Sequence, residues 1–156
     1  SILGLGSKFF EERPGYRKEE YRWGRGGAKI IDYLLASGGI EYPATIATRS
    51  LVDVYFSVLF EEDIEQVTPG ILIKTIEGLF IFGTNSFIAA GGQTSISGRR
   101  GSIATFKFSF PMMLNEGVYM LSLGISSGDP AQTTDPIDRR YDAILISVAN
   151  PVHMWG

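Results

Sequence analysis

Between Leu51 and Phe60 every second residue is apolar. Val52, Val54, Phe56, Val58 and Phe60 form an unbroken row, with Asp53, Tyr55 and Ser57 falling between them. A period of two, built from β-branched and aromatic side chains, describes a strand with one face buried. The pattern recurs where Ala104, Phe106, Phe108 and Phe110 interleave with Ile103, Thr105, Lys107 and Ser109. Gly101 opens that stretch, and Pro111 ends it because proline has no amide hydrogen for a central ladder. Residues 117–124 set Tyr119, Leu121 and Leu123 on one side against Met120 and Ser122 on the other. Residues 71–76 and 79–84 flank Glu77 and Gly78, which predicts a hairpin turn. Residues 28–35 predict an early strand. Residues 141–148 predict a late one, with Ile144, Ile146 and Val148 in register.

These segments amount to about seven strands, with no stretch of convincing helical period. The 19 glycines and 7 prolines sit between them as turn punctuation. The expected fold class is therefore all-β: a two-sheet antiparallel β-sandwich with Ig-like or jelly-roll connectivity. Asn115, Glu116 and Gly117 read as a turn. Residues 86–101, with Gly91-Gly92 and Gly98-Arg99-Arg100-Gly101, are expected to form one long loop. Residues 126–140, with Asp129-Pro130 and Asp135-Pro136, are expected to form another, and long loops of a sandwich often carry binding elements.

Composition narrows the picture. A chain of 156 residues that is 44% hydrophobic can build one ordinary core, and no apolar run approaches the roughly 20 residues of a membrane-spanning helix. With no cysteine, disulfide frameworks and cysteine-based zinc sites are excluded. A net charge of −3 argues against a nucleic-acid partner. Residues 8–29 nevertheless hold seven basic and four acidic side chains, which leaves −6 for the remainder. We expect residues 1–22 to be a solvated, charged lead-in, 23–150 the sandwich, and 151–156 a tail. Ser1 opens the chain without a Met and no signal-peptide pattern follows, so a piece of a longer protein is expected.

Candidate chemistry is sparse. His153 is the only histidine and lies near the chain end, there is no G-x-S-x-G elbow, and neither a catalytic triad nor a histidine metal site is supported. Gly24-Arg25-Gly26-Gly27 lacks the spacing of a phosphate loop and precedes a strand, so it reads as backbone geometry at a strand entrance. Glu61, Glu62, Asp63 and Glu65 could offer a glycosidase pair, but an exposed run leaves no means of desolvating one of them, and a solvated turn is expected. Asp129, Asp135, Asp138 and Asp142 match no defined calcium loop. No catalytic residue, metal site or cofactor is therefore expected in this chain.

A binding surface remains. Sugars need aromatic platforms with carboxylate, hydroxyl or basic partners nearby. The outward rows of two strands supply Asp53, Tyr55 and Ser57 on one and Thr105 and Lys107 on the other. In an Ig-type connectivity these strands are neighbours, and Tyr33 is expected to join them from the early strand.

Several local motifs resemble one family. Tyr21-Arg22-Trp23-Gly24-Arg25-Gly26-Gly27-Ala28-Lys29-Ile30 resembles the opening of the C-terminal domain of Wzt. Ser50-Leu51-Val52-Asp53-Val54 and Gly78-Leu79-Phe80-Ile81-Phe82-Gly83-Thr84-Asn85 are similar to its central hairpin region. Leu114-Asn115-Glu116-Gly117-Val118-Tyr119-Met120-Leu121 and the stretch 141–148 are similar to its last two strands. The resemblance covers about residues 20–150. It implies a cytoplasmic sandwich fused behind an ATPase domain of an ABC exporter, at the inner face of the inner membrane with a permease partner. It also implies recognition of finished O-antigen polysaccharide before export, with ATP and Mg confined to the ATPase domain. Dimers are implied too, with Val152-His153-Met154-Trp155 read either as an exchanging strand or as a frayed end; no ligand contact is carried over from the family, and Trp155 joins the candidate contacts as an aromatic of this chain. The rival reading is an Ig-like protein-interaction or adhesion module working by strand addition, with a glycosidase third.

Overall fold

The computed structural model describes residues 9–84, 96–129 and 134–151. A short helix α1 (Phe9–Glu12) precedes eleven strands that form two sheets. The larger sheet runs β1 (Tyr21–Trp23), β11 (Asp135–Ala149), β10 (Gly117–Ser127), β6 (Ile64–Thr75) and β7 (Phe80–Thr84). Two short strands complete it: β4 (Ile46–Ala47) lies parallel to β11, and β8 (Ile96–Gly98) pairs with β6. The smaller sheet runs β3 (Ile40–Glu41), β2 (Ala28–Ser37), β5 (Leu51–Phe60) and β9 (Ile103–Pro111). All the other pairings are antiparallel, and the expected sandwich is what forms.

The alternating rows make the core. Val52, Val54, Phe56 and Val58 of β5 are fully buried, and Phe106 and Phe108 of β9 join them. The Phe56 ring lies 5.7 Å from Phe106 and 6.2 Å from Phe108. From the facing sheet come Ile71, Ile73, Leu121, Leu123, Ile144 and Ile146. Burying each such side chain stabilises the fold by about 2 kcal/mol. All seven anticipated strands coincide with observed ones, with Ile76 and Leu79 alone falling just outside β6 and β7. The four added strands, β1, β3, β4 and β8, have two or three residues each, too few for a period to register.

Two expectations about segments change. The long loop expected over 126–140 is mostly strand, because β10 runs on to Ser127 and β11 begins at Asp135. The loop expected over 86–101 includes β8, and its residues 86–95 lie outside the described residues, as do His153 and the expected exchanging tail.

The lead-in expected over 1–22 is packed from residue 9 onward. Phe10 is fully buried in the core. Tyr16 bridges to Ile144, the Arg17 amide donates to the Ala143 carbonyl at 2.8 Å, and β1 pairs with residues 139–141. Residues 9–23 thus form a strap along the edge of β11. Charged residues hold it. Arg140, 1% exposed, donates to Glu20 and Glu11 at 2.6 Å each, to the Ile30 carbonyl at 3.0 Å, and lies 3.6 Å from the Phe10 ring centre. Burial pulls the Arg140 pKa down, but the bonds to Glu20 and Glu11 outweigh it and leave the pKa raised. Arg13 grips buried Asp32 through two 2.8 Å bonds.

After β1 the chain crosses from one sheet to the other. A Cβ at Gly24, where φ is +145°, would lie 2.2 Å from the Ile137 carbonyl oxygen, so only glycine passes there. Gly24-Arg25-Gly26-Gly27 is therefore a crossing that leads into β2, in line with the backbone geometry expected at a strand entrance.

Two phenols beside the strap give the fold an alkaline limit. Tyr42 donates to the Tyr33 carbonyl, and Tyr33 donates to the Pro14 carbonyl at 2.6 Å. Burial pushes Tyr42 up to about 12 and Tyr33 also upward, although Arg13 opposes both. Stability from these raised groups is complete below the unfolded phenol value of about 10 and is lost as pH climbs through the folded value. Circular-dichroism melts should therefore show the midpoint falling between pH 10 and 12, and falling less steeply in Tyr42→Phe.

Candidate functional site

The strands expected to share a face do so. β5 and β9 are neighbours, with Asp53 opposite Ser109, Tyr55 opposite Lys107 and Ser57 opposite Thr105. These groups satisfy one another. Ser109 donates to Asp53, the Ser57 and Thr105 hydroxyls lie 2.9 Å apart, and Lys107 Nζ sits 5.5 Å from the Tyr55 ring centre. Ser57 is buried, and so are Asp32 and Leu34, which β2 adds to the same rows. On that face Thr105 is exposed and Asp53, Tyr55 and Lys107 are half-buried, but the described residues show no concave feature gathering them.

Tyr33 does not join it. A bulge between Ile30 and Asp32 shifts the register by one residue, so Tyr33 pairs with Phe56 and turns into the core. Its ring packs against Phe10 at 4.7 Å and Tyr42 at 5.8 Å, and it is fully buried. Trp155 lies outside the described residues.

Among the described residues an open concave feature lies on the outer face of the other sheet. A groove of about 400 Å³ runs over β6, β10 and β11, within the range of small-ligand sites. Its floor has no side chain of its own where Gly124 of β10 pairs directly with Gly70 of β6. Glycine inside a strand weakens the strand and often marks a place where something approaches closely. Hydroxyls line the floor on either side: Thr68 pairs with Ser126, and Ser122 lies beyond Gly124.

Arg139 and Tyr141 form one wall, and Trp23, Tyr21 and Lys74 stand around them beyond the groove's own lining. Trp23, Arg139 and Gly124 occupy one row across β1, β11 and β10, and Tyr21 and Tyr141 occupy the next along β1 and β11. Trp23 and Tyr141 meet edge to face at 5.8 Å. The Arg139 guanidinium lies 5.7 Å from the Trp23 ring centre, and Lys74 Nζ lies 5.6 Å from that of Tyr141. Arg139 donates to Ser126 Oγ at 2.8 Å and to Tyr141 Oη at 3.4 Å. Lys74 pairs with Asp142 at 3.1 Å. A Cβ on Gly124 would stand 3.0 Å from Arg139 Cδ, so the glycine leaves room for the arginine to lie across the floor. Thr68 Oγ1 and Arg139 Nε are buried with no hydrogen-bond partner among the described residues, which leaves polar capacity at the groove.

The carboxylates are engaged elsewhere. Asp138 accepts two bonds from Arg22, at 3.0 and 2.8 Å, and one from the Ile30 amide. Asp135 pairs with Arg25, Glu61 with Lys29 and Glu62 with Arg25, while Asp63 accepts from the Arg100 amide. Among the described residues no three His, Cys, Asp or Glu side chains gather as a metal site would require.

Aromatic edges, a guanidinium and hydroxyls around a concave patch of sheet are the features of a ligand-binding surface. The chain matches the family described as the Wzt C-terminal domain over residues 19–155. A crystal structure of the C-terminal domain of Wzt is 49% identical and superposes with a TM-score of 0.88, covering 96% of this chain and 89% of that one. The CARDB domain of the PF1109 protein from Pyrococcus furiosus reaches a TM-score of 0.40 at 10% identity, over 76% of this chain and 94% of that one. No curated protein matches. The chain belongs to the Wzt C-terminal domain family, whose domains bind carbohydrate for ABC exporters without catalysis.

Proposed function

We propose that this domain binds O-antigen polysaccharide in the groove over β6, β10 and β11 and so confers substrate specificity on an ABC exporter. The observation that carries the reading is the Arg139–Tyr141 wall, with Trp23 packed against it, beside the Gly70–Gly124 floor. A pyranose ring has apolar C–H faces that pack on aromatic surfaces, and hydroxyls that take bonds from guanidinium, serine and threonine. Glycine at 70 and 124 adds no side chain of its own to the floor, where the Arg139 side chain lies across Gly124 and offers its guanidinium to a flat ring. Family membership supports the carbohydrate, and the ring chemistry of the groove supports its location. In this reading the domain works at the cytoplasmic face of the inner membrane, as part of a homodimer joined to a permease, and ATP and Mg are bound by a separate ATPase domain.

Calorimetric titration of the domain with purified O-polysaccharide from its own source, and with unrelated glycans, tests this. Saturable heat is expected with the cognate polymer alone. Gly124→Leu, which fills the floor and displaces Arg139, is expected to weaken binding at least tenfold, since an obstructed contact of this kind costs more than about 1.4 kcal/mol. Absence of cognate binding at millimolar concentration would count against the carbohydrate and favour a protein ligand.

A further inference from the structure

The two flanks of Tyr141 are both held by the strap, although Glu11, Arg17 and Glu20, which hold them, do not line the groove. On one side, inward-facing Arg140 is clamped by Glu11 and Glu20. On the other, Arg17 Nη1 donates to the Asp142 carbonyl at 2.6 Å. Asp142 sits at an irregularity of β11, with φ at +54°, a backbone region unfavourable for a side-chain-bearing residue. Its amide donates to Ser122 Oγ at 2.7 Å, and its carboxylate pairs with Lys74, which lies against the Tyr141 ring. The strap is thus joined by two short polar routes to the residues that orient Arg139, Tyr141 and Ser122.

We infer that residues 9–22 are a positioning element for the groove, with Arg17 and Glu20 as the positioning residues. The inference rests on the proposed function for the identity of the ligand, but not for the mechanical link. Residue-to-residue alternation along β11 supplies that link. Arg139 and Tyr141 point outward only while Arg140 stays inward and the irregular turn at Asp142 keeps its place. A strap that lets go of Arg140 and Asp142 frees β11 to relax that turn, and the wall of the groove loses its geometry. By reciprocity, a filled groove holds the strap down.

Arg17→Ala and Glu20→Gln in the whole chain, titrated with purified O-polysaccharide, test it. Each is expected to weaken binding about tenfold, the size of a typical coupling between sites. Amide exchange at residues 139–143 is expected to quicken in both, and polysaccharide is expected to slow exchange at residues 15–20 in the unmutated chain. Arg17→Lys, which keeps a donor, should restore part of the affinity. Val54→Ala, a cavity in the other sheet, should lower the melting temperature yet leave binding within about twofold, which separates positioning from plain destabilisation. Unchanged affinity in both strap variants overturns the inference, even if exchange quickens. Should the unmutated chain bind no polysaccharide, the proposed function fails, and the exchange rates at 139–143 decide the strap alone: unchanged rates overturn it.

Discussion

Arg139→Ala is expected to weaken polysaccharide binding by roughly a hundredfold, while the melting temperature shifts by only a few degrees. Arg139 does three things at once in the groove. It lies over the Trp23 ring, donates to Ser126 and Tyr141, and crosses the floor at Gly124. An arginine packed on an aromatic at the centre of a concave site is the kind of residue whose truncation costs about 2 to 4 kcal/mol of binding. Its cost to folding is smaller, because the groove lies on the outer face and the core rows beneath are untouched. Calorimetry and a thermal melt on one preparation check both halves. Lys at position 139 keeps the charge but not the planar fork, and should recover little.

Arg140→Ala, one residue along, should do the reverse and damage folding directly. Its side chain is 1% exposed, and removing it leaves Glu20, 9% exposed, without its cation in the interior. Breaking a buried pair in this way costs roughly 3 to 5 kcal/mol, a large part of the 5 to 15 kcal/mol that holds a typical domain. Glu11, at 37% exposure, is free to turn to water and should add little. Urea unfolding of Arg140→Ala measures the loss. The double variant Arg140→Met with Glu20→Gln should recover a good part of it, since the uncompensated charge is gone.

That adjacent arginines face opposite ways, one to the groove and one to the core, follows from strand alternation, and alternation was the most legible feature of the chain. Rows such as Val52 to Phe60 and Ala104 to Phe110 announced their strands, their faces and even their mutual pairing. What the pattern could not carry was a change of phase. The bulge beyond Ile30 adds one residue to β2 and turns Tyr33 from the outer face, where the period puts it, into the core. No local residue type marks that bulge. The same blindness hid the strap, whose charges suggested water but are consumed by Arg140, Asp32 and Asp138 across long sequence separations.

The groove was half-legible. Tyr21 and Trp23 stood in the opening motif and Tyr141 in the last strand, but nothing local pairs residue 23 with residue 139. Gly70 and Gly124 were the missed signal. Each lies inside a strand with no turn to explain it, and two such glycines opposite one another mark a bare patch of sheet. The residues favoured instead, Asp53, Tyr55, Ser57, Thr105 and Lys107, were correctly placed together, yet proximity made them one another's partners.

The most direct test follows backbone amides by NMR as purified O-polysaccharide is added. Shifts should concentrate at residues 68–72, 122–126 and 139–141 and at the Trp23 indole, while residues 53–57 and 105–107 stay still. Shifts confined to β5 and β9, or a spectrum that does not change at saturating polymer, would contradict a glycan site on the larger sheet.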